Sequence, residues 1–495
     1  MKLKSLIGSV RDQILSVRAS SKLKSDYGSI DINGLSLNSK LAKNDDLFFC
    51  LSGTRHKGSD FIAQAYRNGA IAVVTDEEVR SRIPKKLTVI KVKDVAESLG
   101  IIADRFYEHP LDKFNSIAVT GTNGKTSVTF IIENILKASK KQVGVIGTVN
   151  YRFARTKCIA KNTTPDVLTT HSTINKMLKN NIKYVLMEVS SHALAQRRVE
   201  GLKFDQAIFT NLSQDHFDYH KTKNKYFAVK SRLFTDHLIK GGVAIVNVDD
   251  AYGRKIVNLV KKSGRCNIIT YAVSRKADIN ADSIMLNGDR SKFTLRFKDY
   301  SLKIDTNLIG LFNIYNILAA VASCLALGIP RSAIVKGIKN IYVPGRLETI
   351  SSGNIKIIVD YAHTPDALKN VLLSLKSIRG KGRLIVVFGC GGNRDKDKRH
   401  RMGRVASALA DFVIITSDNP RFEDPKKIIT QIKKGIKNKD YIVLIDRRRA
   451  IEKAIEMARS GDIILIAGKG HEDYQIIRDK RIPFNDRKVI EDIFS

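Results

Sequence analysis

The sequence predicts an α/β protein of three domains built on mainly parallel sheets. Its 495 residues exceed what one hydrophobic core supports, because domains of about 100–200 residues are typical. Short apolar segments alternate with amphipathic segments of helical period along the chain. Several apolar segments end in glycine-rich or polar loops, as strands do at the ligand-binding edge of an open parallel sheet. We predict domains at residues 1–111, 112–343 and 344–495.

The first domain has the pattern of a small binding domain. Residues 46–51 and 70–74 are apolar and predict buried strands, and residues 61–68 predict a helix between them. A polar loop covers residues 53–58. No group of side chains suited to acid–base chemistry stands out in this domain, so we expect it to bind a ligand rather than to catalyse.

The second domain opens with a loop of two glycines, a lysine and several hydroxyls between a strand and a helix. The strand ends at residues 116–119, and apolar residues at helical spacing follow from residue 128 to residue 136. Backbone N–H groups at such a helix start attract an anion, and Lys125 adds a positive charge for phosphate. Thr126 can offer its hydroxyl to a phosphate-bound Mg²⁺. The candidate phosphate-binding residues are Gly121, Thr122, Asn123, Gly124, Lys125, Thr126 and Ser127.

The alternative for this loop is an ordinary glycine-rich turn. The general phosphate-loop pattern requires a glycine five residues before Gly124, where this chain has Val119. We favour the phosphate loop because a lysine and a threonine stand at the helix start.

Two further strands of this domain end in polar side chains. Glu188 closes the apolar segment 185–189, where its carboxylate could reach Mg²⁺ or merely cap a helix at the surface. His216 follows the segment 207–210 in an Asp-His-Phe-Asp-Tyr-His cluster, in which ligand binding and a structural role are equally plausible. Lys230 lies on a predicted helix, and its surroundings in the sequence give it no special role.

The third domain combines five predicted strands with polar loops. The strands cover residues 355–359, 383–388, 412–416, 441–444 and 463–467. Asp360 could bind ribose hydroxyls or only end a strand, and residues 418–421 alone could be a turn. Arg394 and Arg421 can hold carboxylates bidentately, whereas Asp418 and Glu472 can hold an ammonium group. Together these loops predict a site for an amino acid.

Composition excludes several other classes of protein. The chain carries 85 Lys and Arg residues against 49 Asp and Glu residues, a net charge of +36. The basic residues are spread along the chain without a zinc-finger, RNP or basic-tail pattern, so we expect no nucleic-acid partner but an attraction for small polyanions. Five widely spaced cysteines form no disulfide framework or paired metal spacing, which favours a reducing, cytoplasmic location.

Two segments bear on membranes. Residues 1–7 lack the apolar run of a signal peptide. Residues 306–330 carry no charge and are long enough to span a bilayer. This second segment contains three asparagines and two glycines, so we predict a strand, a loop and a buried helix there, and no stable membrane insertion.

Nine motifs in order along the chain resemble those of the Mur ligases, and most closely those of the members that add meso-diaminopimelate. The likeness covers nearly the whole chain and is weak before residue 110. The motifs are TGTNGKT (120–126), MEVSSHALAQ (187–196), NLSQDHFDYH (211–220), LFNIYN (311–316), GRLE (345–348), DYAHTPDAL (360–368), FGCGGNRDKDKR (388–399), DNPR (418–421) and AGKGHEDYQ (467–475).

The resemblance implies a fold and a reaction. The fold has three domains, with a central P-loop-type nucleotide-binding sheet and a C-terminal Rossmann-like domain. The reaction is an ATP-dependent amide ligation in peptidoglycan precursor synthesis, with Mg²⁺ as the metal. The γ-phosphate passes to the D-Glu carboxylate of UDP-MurNAc-L-Ala-D-Glu, and the amine of meso-diaminopimelate attacks the acyl phosphate. We expect a monomer whose partners are these small molecules.

The resemblance also assigns residues. The catalytic set would be Lys125, Glu188, His216 and Lys230, and the metal ligands Thr126, Glu188, His216 and Lys230 as N6-carboxylysine. ATP would contact the phosphate-loop residues and Asn313, Asn316, Arg346, Asp360 and His363. The muramoyl dipeptide and its uridine would contact Ser39, Thr54, Arg55, His56, Asn162, Thr163, Thr164, Ser190, Gln196 and Arg198. Diaminopimelate would contact Arg394, Asp418, Asn419, Pro420, Arg421, Gly468 and Glu472.

The chain departs from the common family pattern at four positions. Asn38 stands where aspartate is usual, Lys40 and Gln214 stand where arginine is usual, and Ala193 stands where glycine is usual. Lys40 keeps the charge but loses bidentate geometry, which weakens the uridine-side assignment around Ser39.

Two alternatives to this function remain. One is a ligase with another substrate, such as folylpolyglutamate synthetase or a neighbouring Mur ligase, and the loops at 418–421 and 470–475 count against it. The other is a basic nucleic-acid-binding protein with an ATPase loop, which would show a salt-dependent shift of DNA or RNA. No clustered aromatic and basic residues in the sequence support it.

Overall fold

The computed structural model describes residues 1–18, 27–53, 56–79, 84, 86–287, 289–298, 300–352, 354–437 and 440–495. The backbone divides into two compact units. Unit 1 comprises Met1–Ala118, Gln142–Asp205 and Arg232–Gly242, and unit 2 comprises Val119–Lys141, Gln206–Ser231 and Val243–Ser495. No helix in the described ranges is both long and apolar enough to cross a membrane. The three predicted domain boundaries stay a prediction.

Residues 1–106 form a five-stranded sheet with three helices, all in unit 1. The strand order is β1-β5-β4-β3-β2, with β1 antiparallel to β5 and the other neighbours parallel. The predicted strands near residues 46 and 72 and the helix between them are confirmed. The elements are α1 (Leu3–Gly8), β1 (Ile14–Arg18), β2 (Gly34–Ser36), β3 (Asp46–Phe49), α2 (Ile62–Arg67), β4 (Ala72–Thr75), β5 (Thr88–Val92) and α3 (Val95–Phe106).

The middle of the chain supplies elements to both units. They are β6 (Asn115–Thr120), α4 (Lys125–Ala138), β7 (Val143–Ile146), β8 (Asn150–Phe153), β9 (Thr156–Ile159), α5 (Val167–Lys179), β10 (Tyr184–Glu188), α6 (Ser191–Ala195), β11 (Phe204–Phe209), α7 (Phe217–His220), α8 (Lys223–Thr235), β12 (Leu238–Asn247), α9 (Ala251–Ser263), β13 (Asn267–Ala272), β14 (Ile279–Leu286), β15 (Ser291–Phe297), β16 (Tyr300–Thr306), α10 (Leu311–Ala326) and α11 (Arg331–Lys339). The uncharged segment from residue 306 is therefore a strand end, a loop and a buried helix, as predicted.

The middle strands are only partly parallel. In unit 1, β10 pairs in parallel with β7, and β8 and β9 continue from β7 as antiparallel strands. In unit 2, β12, β13 and β14 are parallel, whereas β14, β15 and β16 form an antiparallel meander. The expected alternation of strand and helix is wrong for this meander, because only four residues separate β14 from β15 and two separate β15 from β16, too few for a crossover helix.

The last third of the chain is a doubly wound sheet within unit 2. Its strand order is β17-β18-β22-β19-β20-β21, parallel except for the edge strand β17. All five predicted strands are confirmed. The elements are β17 (Glu348–Ser352), β18 (Ile355–Asp360), α12 (Pro365–Ile378), β19 (Leu384–Phe388), α13 (Asp397–Leu409), β20 (Phe412–Ile415), α14 (Pro425–Lys433), β21 (Tyr441–Val443), α15 (Arg447–Glu456), β22 (Ile463–Ala467), β23 (Tyr474–Ile477), β24 (Lys480–Pro483) and α16 (Asp486–Phe494).

Alternating side chains of this sheet build two cores. Ile358 faces the helices α12, α13 and α14, whereas its neighbour Ile357 faces α15 and α16. Strands covered on both faces are continuously apolar, which is why the sequence showed them clearly. The carboxyl ends of β18, β19, β20 and β22 then place four polar loops at one edge of the sheet.

A buried histidine in unit 1 provides a pH-sensitive element of stability. His171 on α5 is fully buried, its Nδ1 donates a hydrogen bond to Val167 O at 2.9 Å, and its ring stacks on Tyr107. Burial lowers the pKa of His171 to about 4. The neutral ring is therefore the form that the fold accommodates.

We expect acid to destabilise unit 1 through this histidine. The unfolded chain takes up a proton near pH 6.5, whereas folded His171 does so only near pH 4, so stability is complete above pH 6.5 and falls as the pH falls through that window. Between pH 7 and pH 5 the loss is about 2 kcal/mol. Denaturant unfolding of the protein and of His171→Gln at both pH values measures it. An equal pH dependence in both proteins would contradict the assignment.

Candidate active site

The predicted phosphate loop connects β6 to α4 in unit 2. Gly121 and Gly124 have φ angles of 149° and 90°, in the region that favours glycine. A Cβ atom at Gly121 would lie 1.9 Å from Thr210 Oγ1, and one at Gly124 would lie 2.4 Å from Asn316 Oδ1. Gly124 is the N-cap of α4 and provides no capping side chain. This helix start therefore suits an anion, as predicted from the sequence.

The lysine of the loop folds back across it. Lys125 Nζ donates hydrogen bonds to the carbonyl oxygens of Gly121 and Thr122 at 2.8 and 2.9 Å. Thr126 and Ser127 lie in the first turn of α4 and are buried. A phosphate placed here would meet the lysine and the helix start together.

Residues 211–213, which follow β11, form hydrogen bonds with the phosphate loop. Thr122 N donates to Asn211 O at 2.9 Å, and Asn123 N donates to Asn211 Oδ1 at 3.0 Å. Ser213 N donates to Thr122 Oγ1 at 3.1 Å. Asn123 also donates from Nδ2 to Asp366 Oδ2 at 3.2 Å, which ties the loop to the start of α12. None of these contacts was predicted from the sequence.

Lys230 lies beside the same loop although its sequence context gave it no role. The side chain is 1 % exposed, and its Nζ donates to Gly121 O at 2.9 Å and to Thr120 Oγ1 at 3.5 Å. Its Nζ lies 4.8 Å from the centre of the Tyr226 ring. Burial, and after it the nearby charge of Lys125, hold the pKa of Lys230 well below its ordinary value. An uncharged amine is the nucleophilic form of lysine.

A buried carboxylate, Asp215, forms the centre of a second cluster in unit 2. His216 donates to Asp215 Oδ1 from its backbone N at 2.9 Å, and His216 Nε2 lies 3.2 Å from Oδ2. His363 Nε2 and Lys398 Nζ each lie 3.9 Å from an oxygen of Asp215. Burial raises the pKa of Asp215, but the charges of His216, Lys398 and His363 outweigh it and hold that pKa below its usual range.

The remaining candidate nucleotide contacts also lie in unit 2. Arg346 donates from Nη2 to Thr126 Oγ1 at 3.4 Å, beside the phosphate loop. Asp360 is buried and accepts backbone N–H groups of Leu347 and Ala362 at 2.8 and 2.7 Å, so a second acceptor site on each oxygen remains for a hydroxyl. Asn316 donates to Asn313 Oδ1 at 3.1 Å on α10.

Burial and a neighbouring cation hold His363 neutral. Burial, and after it the charge of Lys398, lower the pKa of His363 to about 4. Its Nδ1 donates to Tyr361 O at 2.9 Å, so its Nε2 carries the lone pair at neutral pH.

Unit 1 gathers most of the residues assigned to the muramoyl dipeptide. Thr164 Oγ1 donates to Glu188 O at 2.8 Å and accepts from Ser190 N at 3.1 Å. Arg198 Nη1 donates to Thr164 O at 3.0 Å, and its Nη2 donates to Gln196. Asn162 O accepts from Tyr151 OH at 2.7 Å, and Thr163 Oγ1 donates to Thr148 Oγ1 at 3.0 Å, because the Thr148 hydroxyl hydrogen is directed to Glu188.

Glu188 is buried, so its reading as a surface glutamate is wrong. Its carboxylate accepts two hydrogen bonds from Thr148, from N at 3.0 Å and from Oγ1 at 2.8 Å. The sequence did not single out Thr148. Its position two residues beyond β7, a strand that was not predicted from the sequence, is the only local signal.

Of the residues predicted to contact the uridine, the structure describes Ser39 and His56. Ser39 is buried, and its hydroxyl donates to Gln64 Oε1 at 2.7 Å. His56 is exposed and meets Phe61 edge to face. Thr54 and Arg55 lie outside the described residues.

The amino-acid site forms at the carboxyl edge of the third sheet. Glu472 Oε2 accepts from Asn419 Nδ2 and from Lys469 Nζ, both at 2.9 Å. Arg421 has a φ of 53° and donates from Nη1 to Gly392 O at 2.8 Å. Burial, and after it the charge of Arg394, lower the pKa of Arg421. The predicted pair of guanidiniums is therefore present, and Lys469 is an addition that the sequence reading missed.

Asp418 completes this site. It is buried, and a Cβ atom at Gly468 would lie 2.7 Å from its Oδ2, which explains the glycine there. Burial raises the pKa of Asp418, but Lys469 and then Arg447 outweigh it and hold that pKa below its usual value. Pro420 is buried next to it.

The next question is whether the described residues include a cluster of typical metal-binding side chains. No group of three or more His, Cys, Asp or Glu side chains in the described part of the chain is arranged to hold a metal ion. Mg²⁺ commonly uses one or two protein oxygens together with substrate phosphates and water, so such a cluster is not required for it.

Family models and relatives agree over most of the chain. The chain matches the Mur ligase family, catalytic domain, at residues 31–107, the Mur ligase middle domain at 119–324 and the Mur ligase, glutamate ligase domain, at 345–470. A protein of Aquifex aeolicus named UDP-N-acetylmuramoyl-L-alanyl-D-glutamate--2,6-diaminopimelate ligase is 44% identical over 465 residues, 94% of each chain. The Clostridium tetani protein of that name is 40% identical over 471 residues, 94% of this chain and 95% of its own.

Solved structures give the same result. A structure of a ligase with that name has a TM-score of 0.68 at 32% identity and covers 97% of this chain and 100% of its own. MurF from Acinetobacter baumannii has a TM-score of 0.67 at 18% identity, covers 99% and 98% of the two chains, and supports the fold. The predicted α/β class is confirmed. The chain belongs to the Mur ligase family.

Proposed function

We propose that this protein is an ATP-dependent amide ligase that joins meso-diaminopimelate to UDP-MurNAc-L-Ala-D-Glu in peptidoglycan precursor synthesis. The observation that carries the proposal is the charged site around Asp418, Arg421, Lys469 and Glu472 in the same unit as the phosphate loop. The names of the relatives at 40–44% identity support the same substrates. A cytoplasmic location and a monomeric state stay predictions.

The first step activates a carboxylate. The D-Glu carboxylate attacks the γ-phosphorus of ATP, the bond to the β–γ bridging oxygen breaks, and ADP leaves. Lys125, Arg346 and the start of α4 lie where they can neutralise the phosphate oxygens. Asp360 is proposed to bind the ribose, and Asn313 and Asn316 the adenine side.

Lys230 is proposed to act as a carbamate. Its uncharged amine can attack CO₂, which forms an N–C bond and, on loss of a proton, an anionic carbamate. In unit 2 the Thr126 hydroxyl, the His216 ring and this carbamate would be the ligands of Mg²⁺, since oxygen ligands suit this ion. The assignment of Glu188, which belongs to unit 1, as a metal ligand stays a prediction from the resemblance. Bound Mg²⁺ would neutralise phosphate charge.

The second step selects the amine. Asp418 and Glu472 can hold an ammonium group of diaminopimelate, and Arg394 and Arg421 can hold a carboxylate bidentately. Diaminopimelate carries two carboxylates and lysine only one, so lysine would leave a guanidinium unpaired. Arg421 is half-buried, so leaving its charge without a partner carries part of the cost of an unpaired buried charge and favours diaminopimelate over lysine.

Replacing Arg421 tests this selection. Arg421→Met is expected to raise the KM for diaminopimelate about 100-fold, because a charged hydrogen-bonded pair is lost, while the KM for ATP changes less than about threefold. Lys426→Met, an exposed change on α14, is the matched control. Steady-state kinetics with each substrate varied measures both constants. Equal losses for ATP and diaminopimelate would count against the role of Arg421.

Phosphate release tests the function as a whole. Purified protein with ATP, Mg²⁺ and UDP-MurNAc-L-Ala-D-Glu is expected to release phosphate when meso-diaminopimelate is added, and to do so poorly with lysine. Release with lysine alone would overturn the substrate assignment. Release without the nucleotide-linked dipeptide would indicate a simple ATPase.

A further inference from the structure

Lys398, in the first turn of α13, is a buried lysine to which no role has been assigned above. Its side chain is 6 % exposed, and its ammonium makes no hydrogen bond to any residue that the structure describes. Its only ionic partner in the same residues is Asp215, at 3.9 Å. Burying an ammonium group with three unused N–H donors is unfavourable. The fold therefore holds this side chain where the binding of an anion would stabilise it.

The surroundings of Lys398 place it between the phosphate loop and the amino-acid site. Asp215 follows Ser213 by two residues, and Ser213 N donates to Thr122 Oγ1 of the phosphate loop at 3.1 Å. On the other side, Cys390 Sγ lies 3.6 Å from Met402 Sδ on α13, the helix of Lys398. A Cβ atom at the preceding Gly389 would lie 3.0 Å from Asp418 N of the amino-acid site. All these residues belong to unit 2.

Neutralisation of the Asp215 carboxylate does not explain why a lysine is buried at position 398. The distance of 3.9 Å is too long for a hydrogen bond, and Asp215 already accepts one from the backbone of His216 and faces the rings of His216 and His363. An ammonium that only paired with this carboxylate would be expected to contact it directly.

We propose that Lys398 binds the phosphoryl group that this site transfers, first as the γ-phosphate of ATP and then as the acyl phosphate. This proposal rests on the proposed function. The side chain of Lys398 would neutralise the nonbridging oxygens of the phosphoryl group and takes no part in the transfer of protons. When the amine attacks, the C–N bond forms and the C–O bond to phosphate breaks, with the electron pair leaving on phosphate. Of the two protons that the ammonium nitrogen of the amino acid loses, one ends on the phosphate and one in solvent.

Nucleotide binding tests the contact without the other substrates. Titration calorimetry with Mg²⁺ compares AMP-PNP, which has a γ-phosphoryl group, with ADP, which has none. Lys398→Met is expected to weaken AMP-PNP about tenfold or more and ADP less than about twofold. Lys396→Met, an exposed change two residues away, should alter neither. Equal effects on both nucleotides, or none, would overturn the proposal.

Steady-state kinetics of the complete reaction provides a second test of the contact between Lys398 and the phosphoryl group. Lys398→Met should lower kcat about 100-fold with the KM for diaminopimelate within about threefold, and Lys398→Arg should restore part of the rate. Lys398→Gln, polar and uncharged, is the second variant. If neither neutral variant folds, Lys398 is a structural partner of Asp215 and the proposal fails.

The two proposals can fail separately. Loss of AMP-PNP binding in Lys398→Met, in a protein that releases no phosphate with diaminopimelate, would overturn the substrate assignment and leave the phosphoryl contact in place. An active parent protein with unchanged Lys398→Met kinetics would overturn the phosphoryl contact alone.

Discussion

Lys230→Ala is expected to lower ATP-dependent phosphate release by at least about 100-fold, the loss typical when an electrostatic group of the transition state is removed. The amine of Lys230 is buried against Gly121 O, and burial and the charge of Lys125 hold its pKa well below the ordinary value, which favours the uncharged form. These are the conditions under which lysine reacts with CO₂. Alanine removes both the carbamate and the negative charge that it would place beside the phosphate loop.

The control and the rescue make this result specific. Lys225→Ala changes an exposed lysine of the same helix, and its activity should stay within about twofold of the parent. Added bicarbonate should not restore Lys230→Ala, because no amine remains to be carboxylated. A short carboxylate such as acetate should restore part of the activity by replacing the anion. Full activity of Lys230→Ala would show that the reaction does not need a carbamate at this residue.

Asp486→Ala is expected to destabilise the protein by about 3–5 kcal/mol, the usual effect of leaving a buried charge without its partner. Asp486 and Arg447 are both inaccessible to solvent and form two hydrogen bonds of 2.7 Å. Arg447 also donates to Ala467 O at 3.0 Å, at the end of β22 next to the amino-acid site. The variant should therefore lose affinity for diaminopimelate as well as stability.

A second acidic residue of α16 offers the matched control for this variant. Asp492 pairs with Arg448 at 3.0 Å, but both side chains are more than 40 % exposed. Asp492→Ala should cost at most about 1 kcal/mol, as exposed ion pairs do. Denaturant unfolding of both variants measures the difference. Equal losses in the two variants would show that burial of the Arg447–Asp486 pair has no special effect.

The sequence predicted the elements whose pattern is local. Strands such as β18 and β22 are continuously apolar because both faces are covered, and the loops after them carry the polar groups. The glycines at 121 and 124 predicted a phosphate loop because only glycine fits their backbone and surroundings. The meander β14–β16 was missed, although an Asn-Gly-Asp sequence at 287–289 is typical of a hairpin turn.

The contacts that the sequence did not reveal join residues far apart in the chain. Thr148 reaches Glu188 across 40 positions, and Lys469 reaches Asn419 across 50. Lys230 showed no local sign of its burial, because burial depends on how α8 packs against the phosphate loop. Such contacts depend on how the chain folds and not on the spacing of residues in the sequence. The candidate site residues could therefore be predicted, but the residues that hydrogen-bond to them could not.

The central claim is that this protein forms an amide bond to diaminopimelate at the expense of ATP. Mass spectrometry of a reaction with ATP, Mg²⁺, UDP-MurNAc-L-Ala-D-Glu and equal amounts of meso-diaminopimelate and lysine tests it most directly. The expected product is UDP-MurNAc-L-Ala-D-Glu with its mass increased by one diaminopimelate residue, and one ADP is expected for each amide bond formed. A product that carries lysine instead, or ADP formed without any new amide, would contradict it.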